Sequence, residues 1–200
     1  SFDPYDGIAR LSLHIARLSR SAAAFGIACD RHAIRNELQS ATFGLGVPSR
    51  VRLMLGGDGG LAIETGPAPA RLAEPLMVRV GRLPLPTDDP RLRHKTSDRR
   101  FHDAARAVSG TAEVIYVRAD GQVTEGSYTN LFVERGGVLL TPPADLGLLP
   151  GVLRQSLIDE GRAVEAALTV DDLAGGFLVG NSLRGLMAAR LVDSGDGAAL

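Results

Sequence analysis

Between Leu83 and Pro90 three prolines fall within eight residues, and neither a helical nor an alternating apolar period runs through them. Proline fixes φ and lacks the amide proton, so neither a regular helix nor a central strand can cross such a stretch. The chain is therefore expected to divide there. The sequence predicts a smaller N-terminal domain over 1–83, an interdomain linker over 84–92 and a larger C-terminal domain over 93–200.

In the first part, Leu11, Ile15, Leu18, Ala22 and Phe25 recur at helical spacing, which predicts an amphipathic helix over about 11–27. Asp30 is placed to cap a second helix carrying Ala33, Ile34, Leu38 and Ala41. The runs 51–55 and 61–64 flank a glycine-rich turn and read as a hairpin, and a further strand is expected over 76–82. The second part opens on Arg93-His94-Lys95-Thr96, read as a strand, then a helix over 98–108. Short strands follow at 114–117, 122–124, 131–133, 138–140, 163–166, 177–179 and 186–191, with a helix after Pro150-Gly151 and a helical turn at 171–173. Mainly antiparallel segments with a few helices argue for an α+β fold.

The 200 residues carry 22 basic and 23 acidic side chains, a net charge of −1, which gives no basic footprint for nucleic acid or an anionic membrane. No run of about 18 apolar residues is present to span a bilayer, and no charged-then-apolar leader opens the chain. The single cysteine, Cys29, excludes an intrachain disulfide and points to a reducing, cytoplasmic setting. Four histidines at no ligand spacing predict no metal site. Of the 22 basic residues 21 are arginine, and Lys95 is the one lysine. Arginine serves wherever only charge is needed, but it cannot release its proton to attack or to act as a base. Lys95 is thus either a chance surface lysine or the site of amine chemistry.

Three blocks weigh on that choice: Glu125-Gly126-Ser127-Tyr128-Thr129-Asn130-Leu131-Phe132, Leu139-Leu140-Thr141, and Leu149-Pro150-Gly151-Val152-Leu153-Arg154. With these gaps they resemble the signature of the class IV aminotransferases, the fold-type IV enzymes that use pyridoxal 5′-phosphate. The resemblance extends from His14-Ile15-Ala16-Arg17-Leu18 through Arg93-His94-Lys95-Thr96 to Gly180-Asn181-Ser182-Leu183, nearly the whole chain. It implies a two-domain fold of the D-amino-acid aminotransferase type, a C-terminal cofactor domain, and a homodimer with the active site between domains and near the dimer axis.

The resemblance also implies roles. Lys95 holds the cofactor covalently and moves protons at the reacting carbon. Glu125 keeps the pyridine nitrogen protonated so that the ring can act as an electron sink. Gly151 and Val152 begin a helix whose free amides attract the phosphate, with glycine allowing close approach. Asn181 and Ser182 match the family's second phosphate turn, and Arg17 matches its arginine from the N-terminal domain. Arg184 is a candidate for a substrate carboxylate. His102 stands where relatives often place a tyrosine near the cofactor's phenolic oxygen, a departure from the pattern. His94 is expected to point away from the lysine by strand alternation, and His14 and His32 read as ordinary helix residues.

The turn Gly180-Asn181-Ser182-Leu183 resembles the Asn-Ala-Leu turn of 4-amino-4-deoxychorismate lyases more than the Gly-Thr-Ala turn of branched-chain aminotransferases. His94-Lys95-Thr96 with a compact C-terminus resembles lyase portions fused to aminodeoxychorismate synthase. The lyase is therefore the preferred expectation. An aminotransferase for branched-chain or D-amino acids, or a catalytically silent binding protein of the same fold, remain open. In relatives, a first strand precedes the segment matching 1–10 and contributes substrate contacts; it is absent from this sequence.

Overall fold

The computed structural model of the protein describes residues 1–192; residues 193–200, which the expected C-terminal domain included, lie outside the described residues. The chain forms two compact units, one of Ser1–Arg71 with Ser182–Arg184, the other of Leu72–Asn181 with the residues from Gly185 onward.

The first unit pairs strands β1 (Phe2–Asp3), β2 (Gly7–Ile8), β3 (Ser49–Leu55) and β4 (Leu61–Pro67) in the order β2-β1-β3-β4, all antiparallel. Helices α1 (Leu11–Ala24) and α2 (Arg31–Thr42) match the expected pair. Asp30 caps α2 as read from sequence, its carboxylate accepting from the amides of His32 (2.8 Å) and Ala33 (3.2 Å). The core packs Ile15 of α1 on Ile34 and Leu38 of α2, with Val51, Leu53 and Ile63 of the hairpin against them.

The second unit is built on an eight-stranded sheet. Its strands are β5 (Leu76–Arg82), β6 (Glu113–Val117), β7 (Val123–Gly126), β8 (Asn130–Arg135), β9 (Val138–Thr141), β10 (Ala163–Glu165), β11 (Phe177–Asn181) and β12 (Gly185–Leu191). The order is β10-β9-β8-β11-β12-β5-β6-β7. Its helices are α3 (Pro90–Arg93), α4 (Arg100–Ser109) and α5 (Val152–Asp159). An antiparallel sheet, a mixed sheet and, among the described residues, five α-helices make the fold α+β, as expected.

Two expectations are corrected. Strand β5 does not close the N-terminal unit; it lies parallel to both β12 and β6 in the large sheet, where Leu76 and Val78 are buried. A parallel neighbour requires a long crossover. The proline-rich stretch is therefore the start of the β5-to-β6 crossover, and the compact units divide between Arg71 and Leu72 rather than across 84–92. Residues 93–96 are also not a strand. Asp89 caps α3, with Pro90 in its first turn, and the chain leaves that helix at His94 in an extended conformation before turning at Thr96, whose amide donates to His94 O (2.9 Å). Strand alternation thus gives no orientation for His94.

Candidate active site

The β5-to-β6 crossover places Lys95, Arg99, His102 and Arg106 on one connection, and the β7–β8 turn meets it. Lys95 is exposed just after α3. Its ammonium is felt electrostatically by Glu125 and by His102, lowering the proton affinity of both. The one lysine and the signature glutamate thus both belong to the second unit, close enough to interact electrostatically.

Glu125 sits in β7 at 5% exposure. Its Oε1 accepts from the amide of Leu149 at 3.0 Å, and its Oε2 from Nδ2 of Asn130 at 3.4 Å. Burial pushes its pKa up to about 8, opposed by the Leu149 amide and by the charges of Arg99 and Lys95. Such a carboxyl favours a cationic N–H facing it, because that contact offsets the cost of ionising in a buried place.

Asn130 also donates to Leu149 O at 3.0 Å, so one side chain ties β8 to the segment before α5. Its oxygen fills the space beside Gly151, where a Cβ would overlap Oδ1 and stand 2.9 Å from Cγ. Gly151 is the N-cap of α5 and offers no side-chain cap, so the first amides of that helix keep their capacity to donate to an anion. Asn181 closes the other side of the second unit's turn region, donating from Nδ2 to Tyr128 O at 3.2 Å.

Three predicted residues fall in the first unit. Ser182 Oγ lies 3.0 Å from Nε2 of His14 on α1. Arg17 is half-buried on α1, nearly one turn beyond His14. Arg184 donates from a terminal nitrogen to Ala70 O at 2.8 Å.

His102 is buried, its Nδ1 2.9 Å from the Tyr116 hydroxyl. Burial, together with Arg99, Arg106 and Lys95, pushes its pKa down to about 3, so the ring is neutral. Burial raises the Tyr116 pKa, which keeps the phenol protonated.

Sequence reading missed Glu113, which is fully buried at the start of β6. Burial raises its pKa, and hydrogen bonds from Ser127, Thr129 and Val114 oppose the rise. It also missed Arg99, whose guanidinium donates to Ser127 O at 2.7 Å, and Arg106, which donates to Ser127 Oγ at 2.7 Å and stands over the Tyr128 ring. The available signal for Glu113 was a charged residue leading the otherwise apolar run Val114–Val117.

A sequence profile described as "Amino-transferase class IV" matches residues 5–192. The chain belongs to the class IV aminotransferase family. A solved structure of a Mesorhizobium loti protein described as an amino-acid aminotransferase is 41% identical, superposes with a TM-score of 0.86, and is covered over 96% of both chains. A Schizosaccharomyces pombe protein bearing the name aminodeoxychorismate lyase is 28% identical over 193 residues, 90% of this chain and 83% of that one. A Thermotoga maritima protein bearing the name branched-chain-amino-acid aminotransferase is 37% identical over 62 residues, 31% of this chain and only 23% of that one.

Class IV family members are enzymes dependent on pyridoxal 5′-phosphate. The residues present fit that group: an amine at Lys95, a buried carboxyl at Glu125, and helix α5 starting at a glycine with no side-chain cap. Among the described residues no three His, Cys, Asp or Glu side chains gather as a metal-ligand set, and no helix is long and apolar enough to cross a membrane.

Proposed function

We propose that the chain is a pyridoxal-phosphate-dependent 4-amino-4-deoxychorismate lyase that releases pyruvate and 4-aminobenzoate, a step of folate biosynthesis. The observation that carries this reading is the likeness to the S. pombe lyase-named protein along 90% of the chain, whereas the T. maritima match is confined to about a third. When bound, the cofactor supplies an electron sink for the carbon that bears the substrate amine. The Lys95 amine takes the proton from that carbon. Glu125 would accept a hydrogen bond from the protonated ring nitrogen, and the first amides of α5 at Gly151 and Val152 would hold the phosphate. Asn181 would add a phosphate contact by its match to the family pattern; Ser182, Arg17 and Arg184 are candidate phosphate and substrate contacts on that pattern alone. In the substrate, loss of the proton and cleavage of the carbon–oxygen bond to the enolpyruvyl group make the ring aromatic.

A class IV aminotransferase is the second reading, favoured by the 41% identity to the M. loti protein. We place the enzyme in the cytoplasm as a homodimer on the family pattern, with solution mass as the check. The deciding experiment supplies aminodeoxychorismate to cofactor-loaded protein. Pyruvate and 4-aminobenzoate in equal amounts support the lyase. Amino-group transfer to a keto acid, without either product, supports the second reading and removes the first.

A further inference from the structure

The four residues between Glu125 and Asn130 wrap around a single buried side chain. Glu113 Oε1 accepts from the amides of Val114 (2.9 Å) and Ser127 (2.7 Å) and from the Ser127 hydroxyl. Its Oε2 accepts from the Thr129 hydroxyl (2.7 Å) and the Tyr128 amide (3.3 Å). The Gly126 amide closes the turn on Thr129 O at 2.8 Å. A Cβ on Gly126 would overlap Thr129 Oγ1 and stand 2.6 Å from Glu113 Oε2, so the hydrogen-bonded pair of Thr129 and Glu113 leaves room only for glycine there. Outside the turn, Arg99 and Arg106 both donate to Ser127, bringing positive charge close to the buried acid.

Five N–H and O–H donors converging on two oxygens suit a carboxylate and no other side chain, because an amide would turn its own N–H groups toward some of them. The direction in which the turn's two ends leave is thereby set by Glu113. Those ends are Glu125 and Asn130, the pair that meets Leu149 and Gly151. We propose that Glu113 is a positioning residue for the cofactor ring: it gathers residues 126–129 around its carboxylate and so places Glu125 against the ring nitrogen. This rests on the reading of Glu125 given above.

The test titrates cofactor-free protein with pyridoxal 5′-phosphate and with the analogue whose ring nitrogen is replaced by C–H, following absorbance or fluorescence. Wild type should prefer the natural cofactor, and Glu125→Gln should abolish the preference. Glu113→Gln should reduce it by about tenfold, the effect of misaligning one charge-assisted hydrogen bond, while binding of the analogue changes little. Thr129→Val, which keeps side-chain volume and removes one donor, should reduce it about threefold on the same grounds. Equal losses for both ligands, or an unchanged preference in these variants, overturn the proposal. If Glu113→Gln does not fold by circular dichroism, the Thr129→Val result decides. Wild type that fails to bind the natural cofactor, or binds it without preference, removes the reading of Glu125 and the proposal with it; a preference kept in the variants removes the proposal alone.

Discussion

The side-chain oxygen of Asn130 occupies the space that a Cβ on Gly151 would need. The N-terminus of α5 and strand β8 are thus in contact through an amide on one side and bare backbone on the other. Gly151→Ala must push Asn130 away from Leu149 O and Glu125, breaking both hydrogen bonds. We expect a stability loss of about 1–3 kcal/mol in thermal denaturation and at least tenfold weaker cofactor binding by titration. Gly57→Ala, at an open turn with no atom within 4 Å of the new Cβ, should stay within about 0.5 kcal/mol of wild type.

Lys95 is the one lysine, so covalent attachment has a single side-chain address. Borohydride reduction of cofactor-loaded protein should leave one adduct on the peptide containing Lys95. Lys95→Arg keeps the charge but not the deprotonatable amine, and should lack both adduct and turnover. An adduct that persists in the variant would defeat the assignment.

Glu125 titrates in an unusual range because it is buried: its pKa is about 8 in the folded protein against 4.5 when unfolded. The folded state holds this proton more tightly, so stability falls as pH rises from about 4.5 to 8. Cofactor-free Glu125→Gln should therefore be more stable than wild type at pH 8, by at least about 1 kcal/mol, or ~2–4 °C in Tm for a chain of this size. The difference should vanish near pH 4. A wild-type advantage at pH 8 without cofactor would contradict the buried, poorly compensated carboxyl.

His102 shows the opposite dependence. Its folded pKa of about 3 lies below the ordinary 6.5, so the unfolded chain takes up a proton that the native state refuses. Stability on this account is intact above pH 6.5 and is lost as the pH falls toward 3. His102 ring resonances should stay constant between pH 5 and 8 by NMR. His102→Gln, which can still pair with Tyr116, should flatten the acid-side loss by at least about 1 kcal/mol at pH 4. A midpoint near 6.5 in the NMR titration would show that the ring is hydrated.

Local signals located most elements because they depend on neighbours in sequence. Asp30 caps α2, Leu76–Arg82 form the strand read from their pattern, and Pro150-Gly151 lead into α5. The candidates Lys95 and Glu125 stood out for a similar reason: arginine fills every other basic position, and the signature around Glu125 is contiguous. Pairing partners were not legible. That β5 joins β6 and β12 depends on a crossover of about thirty residues and on which face finds buried space. The same holds for Glu113, which looks like a surface glutamate until the chain returns and encloses it with Ser127, Tyr128 and Thr129. The sequence by itself determined the class of fold, the ends of most helices and strands, and the amine and carboxyl that we propose carry the cofactor chemistry. Only the tertiary structure decided where the chain divides, which side chains surround Glu125, and which buried acid organises its turn. Those features require contacts between residues far apart in the chain, and no local period or propensity encodes them.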